Sequence, residues 1–137
     1  MFTIGDGRSV LIEMPPAPWP ETVYEELEAI WVKRNLIPVV AHIDRYIRPF
    51  HTCGIPDRLE ELPVYVQANA EFFLERKTAR MALRMLQKDQ IHILGSDCHN
   101  LDDRKPNMDE AIARIRKKFG EESLYKICQY ENILLTL

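Results

Sequence analysis

Four short apolar runs at almost equal intervals are the feature that most constrains how this chain can fold. The runs are rich in β-branched residues and end in polar side chains, at residues 10–13, 38–42, 64–69 and 91–97. The steps between their terminal polar residues are 29, 27 and 28 residues, the size of a β-α unit. Continuous apolar runs of this length are typical of strands buried on both faces, so the spacing predicts four parallel strands.

Helical patterns fill the segments between these runs. Apolar side chains recur at helical spacing in residues 21–34, 73–88 and 108–119. A shorter pattern at 124–128 predicts a terminal helix, followed by an apolar tail that must find cover. Alternating strands and helices predict an α/β fold with its functional groups at the carboxyl ends of the strands. A closed barrel needs about 200 residues or more, so four units form either an open sheet or about half a barrel.

Composition argues against two classes of partner. The formal net charge is −3, and neither nucleic acid nor an anionic membrane surface attracts an acidic protein. No apolar run reaches the roughly 18 residues of a membrane span. The three cysteines are widely spaced and form no disulfide framework, which favours the reducing cytoplasm.

Candidate metal ligands lie at the ends of three of the predicted strands. Asp97 and His99 are two residues apart in an extended segment, so their side chains can reach the same space. Glu13 and His42 end two other runs and are expected to face that space too. Two oxygen and two nitrogen ligands suit Mn²⁺, Fe²⁺ or Zn²⁺. The alternative is that these side chains are helix caps or hydrogen-bonded core groups.

Two arginines follow the candidate ligands on the same predicted edge. Arg45 comes three residues after His42, and Arg104 five residues after His99. A planar guanidinium binds a pair of phosphate oxygens well, so the two form a candidate phosphate clamp. Salt bridges with neighbouring aspartates, such as Asp44, are an equally open alternative. Asn69 ends the third run and is assigned no catalytic part.

Three segments resemble successive motifs of the polymerase-and-histidinol-phosphatase (PHP) superfamily. They are Leu-Ile-Glu-Met-Pro, Pro-Val-Val-Ala-His-Ile-Asp-Arg-Tyr and Gly-Ser-Asp-Cys-His-Asn-Leu-Asp-Asp-Arg-Lys-Pro-Asn-Met. Among PHP proteins the chain is most similar to the bacterial manganese-dependent tyrosine phosphatases of capsular and exopolysaccharide operons. The similarity runs from about Phe2 to the C-terminus, with the same order and spacing.

The resemblance implies a distorted (β/α)7 TIM-like barrel that holds a metal cluster, usually of manganese, and hydrolyses phosphotyrosine on a partner autokinase. It implies that Glu13, His42, Asp97 and His99 are metal ligands and that Arg45 and Arg104 bind the phosphate. On this reading, residues 1–137 are one domain, the C-terminal part of such a barrel.

The family's earlier motifs, a His-x-His strand and further histidine and glutamate ligands, are not in this sequence. We therefore expect an incomplete metal cluster, impaired hydrolysis and a homo-oligomer in which a second copy fills the missing half. The alternatives are a non-catalytic α/β binding module, or a PHP phosphoesterase with another substrate such as histidinol phosphate.

Overall fold

The fold is built on one five-stranded sheet whose strands follow one another in chain order. A computed structural model describes residues 2–4, 8–95 and 101–136, with the side chains of 8–95 and 108–134. The strands are β1 (Phe2–Ile4), β2 (Ser9–Ile12), β3 (Ile37–Val40), β4 (Tyr65–Asn69) and β5 (Ile93–Gly95). Strands β2 to β5 are parallel, which confirms the four predicted strands. β1 was not predicted; it pairs antiparallel with β2.

Helices connect and cover the parallel strands. They are α1 (Glu21–Arg34), α2 (Ile55–Glu60), α3 (Ala70–Leu74), α4 (Ala79–Gln87), α5 (Leu101–Phe119) and α6 (Glu121–Thr136). A short 3-10 helix (Ile43–Arg45) follows β3 directly. In the described part of the chain, no helix is long and apolar enough to cross a membrane.

The sheet is buried on both faces, as the continuous apolar runs predicted. Val40, Val66 and Ala68 face the main core, to which helices α1 to α6 contribute. Ile37, Val39 and Ile93 face the other way and pack with Leu134 of α6. Alternate residues of a strand point to opposite faces, so these strands need apolar side chains at nearly every position.

The predicted helix over residues 73–88 was wrong, because two helices occupy that region. Helix α3 ends at Leu74, and Glu75 adopts extended backbone angles. The buried Thr78 hydroxyl donates a hydrogen bond of 2.9 Å to the Phe72 carbonyl oxygen. Threonine side chains that bond to nearby backbone compete with helical hydrogen bonding, which accounts for the break before α4.

Helix α6 is longer than the short terminal helix predicted, and it includes residues 133–136 of the apolar tail. Its Leu134 is only 1% exposed. The Ser9 hydroxyl donates a hydrogen bond of 3.0 Å to the Leu134 carbonyl oxygen. Tyr130 packs against Tyr65, and Ser9 and Tyr65 are the first residues of β2 and β4. Helix α6 therefore covers the amino ends of the strands and leaves the carboxyl edge to the loops.

Candidate functional site

Glu13 and His42 lie on neighbouring strand ends at the carboxyl edge of the sheet. Ile12 pairs with Val40, and the Ala41 amide donates a hydrogen bond of 2.9 Å to the Ile12 carbonyl oxygen. Glu13 follows Ile12 and His42 follows Ala41, so both residues emerge at the same edge. Glu13 is exposed, whereas His42 is only 8% exposed. The structure thus places two of the four candidate ligands at neighbouring strand ends.

His42 has a left-handed backbone, with φ 36° and ψ 63°. Such angles are uncommon outside glycine and cluster at functional sites, where the surrounding structure holds them. The His42 amide donates a hydrogen bond of 3.3 Å to Gln67 Oε1 on β4. The conformation ends β3 and turns the chain directly into the 3-10 helix.

The His42 ring and the Arg45 guanidinium are in contact. Arg45 Nη1 lies 3.3 Å from His42 Nε2. A guanidinium can only donate hydrogen bonds, so this contact requires a lone pair on Nε2 and the ring proton on Nδ1. The same lone pair is what a metal ion takes from a neutral histidine. One predicted ligand and one predicted phosphate-binding residue are therefore side by side.

Asp44 fastens the 3-10 helix to the end of β4. Its Oδ1 accepts a hydrogen bond of 3.0 Å from the Asn69 amide, and its Oδ2 accepts one of 3.3 Å from Asn69 Nδ2. Asn69 is itself buried. Asp44 was considered above only as a salt-bridge partner of Arg45, and Asn69 was assigned no catalytic part. Together they hold the segment that carries His42 and Arg45.

Tyr46 ties the segment after β2 to the 3-10 helix. The Met14 amide, next to Glu13, donates a hydrogen bond of 2.9 Å to the Tyr46 hydroxyl. The Tyr46 ring also packs edge-on against Trp19, with 5.3 Å between centroids. Burial raises the pKa of Tyr46 and outweighs the hydrogen bond from Met14 and the charge of Arg45, which lower it. The hydroxyl therefore stays protonated at neutral pH and holds the Glu13 segment in place.

Gln67 links β3, β4 and β5 at this edge. Its Oε1 accepts from the His42 amide, and a Cβ built on Gly95 would lie 2.6 Å from its Nε2. The amide side chain therefore lies over Gly95 and fills the space that any larger residue would need. Gln67 and Asn69 are two residues apart on β4 and point to the same face. That spacing was the available sequence signal for both residues.

The remaining candidates fall outside the described side chains. Asp97 and His99 lie between the described residues 95 and 101. Arg104 lies on helix α5, but its side chain is outside the described part. Among the described residues, no group of three or more His, Cys, Asp or Glu side chains could hold a metal ion. The carboxylate and imidazole that are described, Glu13 and His42, suit a divalent transition metal as donors.

The other two histidines do not join this edge. His51 is exposed in the loop before α2. The His92 ring packs edge-on against Tyr65 and Tyr130, and its Nδ1 accepts a hydrogen bond of 3.0 Å from the Val66 amide. His92 therefore has a packing role at the amino ends of the strands.

The sequence as a whole matches a known protein family. The sequence model of the family described as "Capsular polysaccharide synthesis, CpsB/CapC" matches residues 1–135. The chain belongs to the CpsB/CapC family. The family predicted from the three motifs is therefore confirmed.

Relatives of this CpsB/CapC chain include two bacterial enzymes named as tyrosine-protein phosphatases. CpsB of Streptococcus pneumoniae is 32% identical over 126 residues, which cover 86% of this chain and 51% of that protein. YwqE of Bacillus subtilis is 25% identical over an alignment of 141 residues, gaps included, that covers 98% of this chain and 54% of that protein. The chain spans about half the length of the curated relatives it matches.

A solved structure shares the fold of this CpsB/CapC chain. It is one of the crystal structures of YwqE from Bacillus subtilis and CpsB from Streptococcus pneumoniae, which are described as "unique metal-dependent tyrosine phosphatases". The superposition has a TM-score of 0.78 and covers 96% of this chain and 55% of that one. At 23% identity, this similarity establishes the fold alone.

Proposed function

We propose that this chain carries part of the site of a metal-dependent phosphotyrosine phosphatase. The observation that carries the proposal is the contact between His42 Nε2 and Arg45 Nη1, 3.3 Å, at the carboxyl edge beside Glu13. A metal that took the Nε2 lone pair would replace the contact with Arg45, and the released guanidinium would be free to hold phosphate beside it. Both residues lie at the edge where this fold class holds its active sites. The names of the two phosphatase relatives support the same reaction.

The proposed metal ligands are Glu13, His42, Asp97 and His99, with Mn²⁺, Fe²⁺ or Zn²⁺ as the ion. A bound divalent cation would lower the pKa of a water molecule and neutralise charge on the phosphoryl oxygens. Arg45, with Arg104, would hold two phosphate oxygens and orient the phosphorus for attack. Asp44, Asn69 and Gln67 would keep His42 and Arg45 in position.

The proposed substrate is a tyrosine-phosphorylated protein, a bacterial autokinase, in the cytoplasm. Cys53 and Cys128 are exposed free thiols, which fits a reducing compartment.

The proposed assembly is a homo-oligomer. Among the described residues, β5 pairs only with β4, and a parallel edge strand offers unpaired backbone groups to another copy. Light scattering that finds only monomer at high concentration would exclude the oligomer.

Metal content and hydrolysis should be measured together. The chain is dialysed against Mn²⁺, and its metal is determined by elemental analysis; the same samples are tested with a phosphotyrosine peptide and with histidinol phosphate. The His42→Ala variant and the Asp97→Ala, His99→Ala double variant should each contain at least tenfold less metal than the unmodified chain. Both should also lose peptide hydrolysis. His51→Ala, which removes an exposed histidine outside the site, is the matched control and should retain both.

Three outcomes would contradict parts of this proposal. Equal metal content in the chain and both site variants would remove these residues as ligands. No metal in any protein would favour the non-catalytic α/β module. Metal uptake with turnover of histidinol phosphate alone would keep the metal site and replace the proposed substrate.

A further inference from the structure

Helices α4 and α5 enclose a groove on the outer surface of the fold, with a volume of about 470 Å³. We call it the basic groove, because its walls carry Arg76, Arg80, Arg84, Arg114 and Lys118 and no carboxylate among the described side chains lines it. Within the described part of the chain, none of these five cations takes part in an ion pair. All five are exposed.

The spacing of these cations brings like charges close together on both helices. Arg80 and Arg84 are four residues apart on α4, and Arg114 and Lys118 are four residues apart on α5. Like charges at this spacing repel along a helix, and here two such pairs face each other across one groove. The chain as a whole has a net charge of −3, so the positive charge is concentrated locally. An anionic group in the groove would relieve this repulsion.

The floor of the groove is apolar. Ala79, Leu83 and Phe119 line it, and Leu83 and Phe119 pack against the main core. A floor of this kind accepts an apolar side chain, while the cations above it pair with carboxylates. Each wall spreads its charges over at least one helical turn, about 5.4 Å, which is longer than a single phosphate needs.

We infer that the basic groove binds a short acidic peptide segment of another protein, anchored by one apolar side chain. The cations line a groove, which favours a peptide as the ligand. A membrane surface would instead be expected to bind cations that are exposed on a convex face. The net negative charge of the rest of the chain disfavours a long polyanion such as nucleic acid. The inference uses no residue of the carboxyl edge and does not rest on the proposed phosphatase activity.

Fluorescence anisotropy with a designed peptide tests the groove directly. The probe is labelled Glu-Asp-Glu-Leu-Glu-Asp-Glu, and the comparison peptide has Ser in place of Leu. We expect the probe to bind, the Ser peptide to bind at least fivefold more weakly, and an Arg80→Gln, Arg84→Gln variant to weaken probe binding at least tenfold. Raising the salt concentration should also weaken binding, because the contacts are exposed ion pairs.

A matched variant controls for the overall loss of charge. Lys33→Gln, Arg34→Gln removes two exposed cations from α1, far from the groove in the chain, and should bind the probe as the unmodified chain does. Equal weakening by this control, or no binding of the probe to the unmodified chain, would overturn the inference. Groove-dependent binding to phosphatidylserine vesicles or to a single-stranded oligonucleotide, with none to the probe, would also overturn it.

Discussion

The carboxylate of Asp44 holds Asn69 through two hydrogen bonds, of 3.0 Å to the backbone amide and 3.3 Å to the side-chain amide. This pair joins the 3-10 helix after β3 to the end of β4. Because His42 and Arg45 lie on either side of Asp44 in the chain, the pair sets the position of both. The geometry of the candidate site thus depends on two residues that would touch neither metal nor phosphate.

Asp44→Ala should lower the free energy of unfolding by about 1–3 kcal/mol, since it leaves the buried Asn69 amide without its acceptor. Asn69→Ala should cost less, because the backbone bond to Asp44 survives. Urea unfolding of both single variants and the double variant measures their coupling, expected at about 0.5–3 kcal/mol. Strictly additive losses would show that the two residues do not stabilise the site as a pair.

Gly95→Ala should destabilise the fold by about 1–3 kcal/mol, because the new methyl group would meet Gln67 Nε2 at 2.6 Å. The displaced Gln67 side chain would also release the His42 amide. The same substitution in a Gln67→Ala background is the control, since the space is then free and the cost should largely disappear. A cost that is unchanged in that background would place the strain elsewhere. Chemical denaturation of the four proteins provides the comparison.

Leu134→Ala should cost about 2–5 kcal/mol, because the side chain is buried between α6 and the strands. Ile133→Ala, one residue earlier on the same helix and 40% exposed, should cost less than half as much. Thermal unfolding of the two variants compares them under identical conditions. Similar losses would mean that α6 does not cover the amino ends of the strands in solution.

The stability of the fold should fall on acidification through His92. Burial lowers the pKa of His92 below its ordinary value of 6.5, so the folded chain binds this proton less readily than the unfolded chain. The contribution of the neutral His92 ring to the free energy of unfolding is therefore fully present above about pH 6.5. It is lost as the pH falls towards the lowered pKa.

His92→Asn keeps an acceptor for the Val66 amide but removes the titration. Unfolding free energies of the chain and this variant should be measured from pH 8 to pH 5, and the difference between them should shrink or reverse at the acidic end. Parallel curves over this range would exclude His92 as the titrating group.

Much of the architecture could be predicted from local patterns. Strand existence, parallel order and the carboxyl edge follow from apolar runs and their spacing, because burial on both faces constrains every residue of a run. The helix over 73–88 was predicted wrongly, since its apolar period continues across a break that depends on the hydrogen bond from Thr78 to Phe72. The apolar periodicity of a sequence contains no information about such a bond.

The family and the four parallel strands follow from short motifs and apolar runs in the sequence. The position of Glu13 and His42 at one edge follows as well, because each residue ends a run and parallel strands end at the same edge. The side chains that hold that edge, in contrast, depend on how the strands and loops come together in three dimensions. Asp44 and Asn69 are 25 residues apart, as are His42 and Gln67, and each pair meets only once β3 and β4 adopt their register. A side-chain partner at that separation depends on strand register and loop conformation, neither of which a local pattern contains.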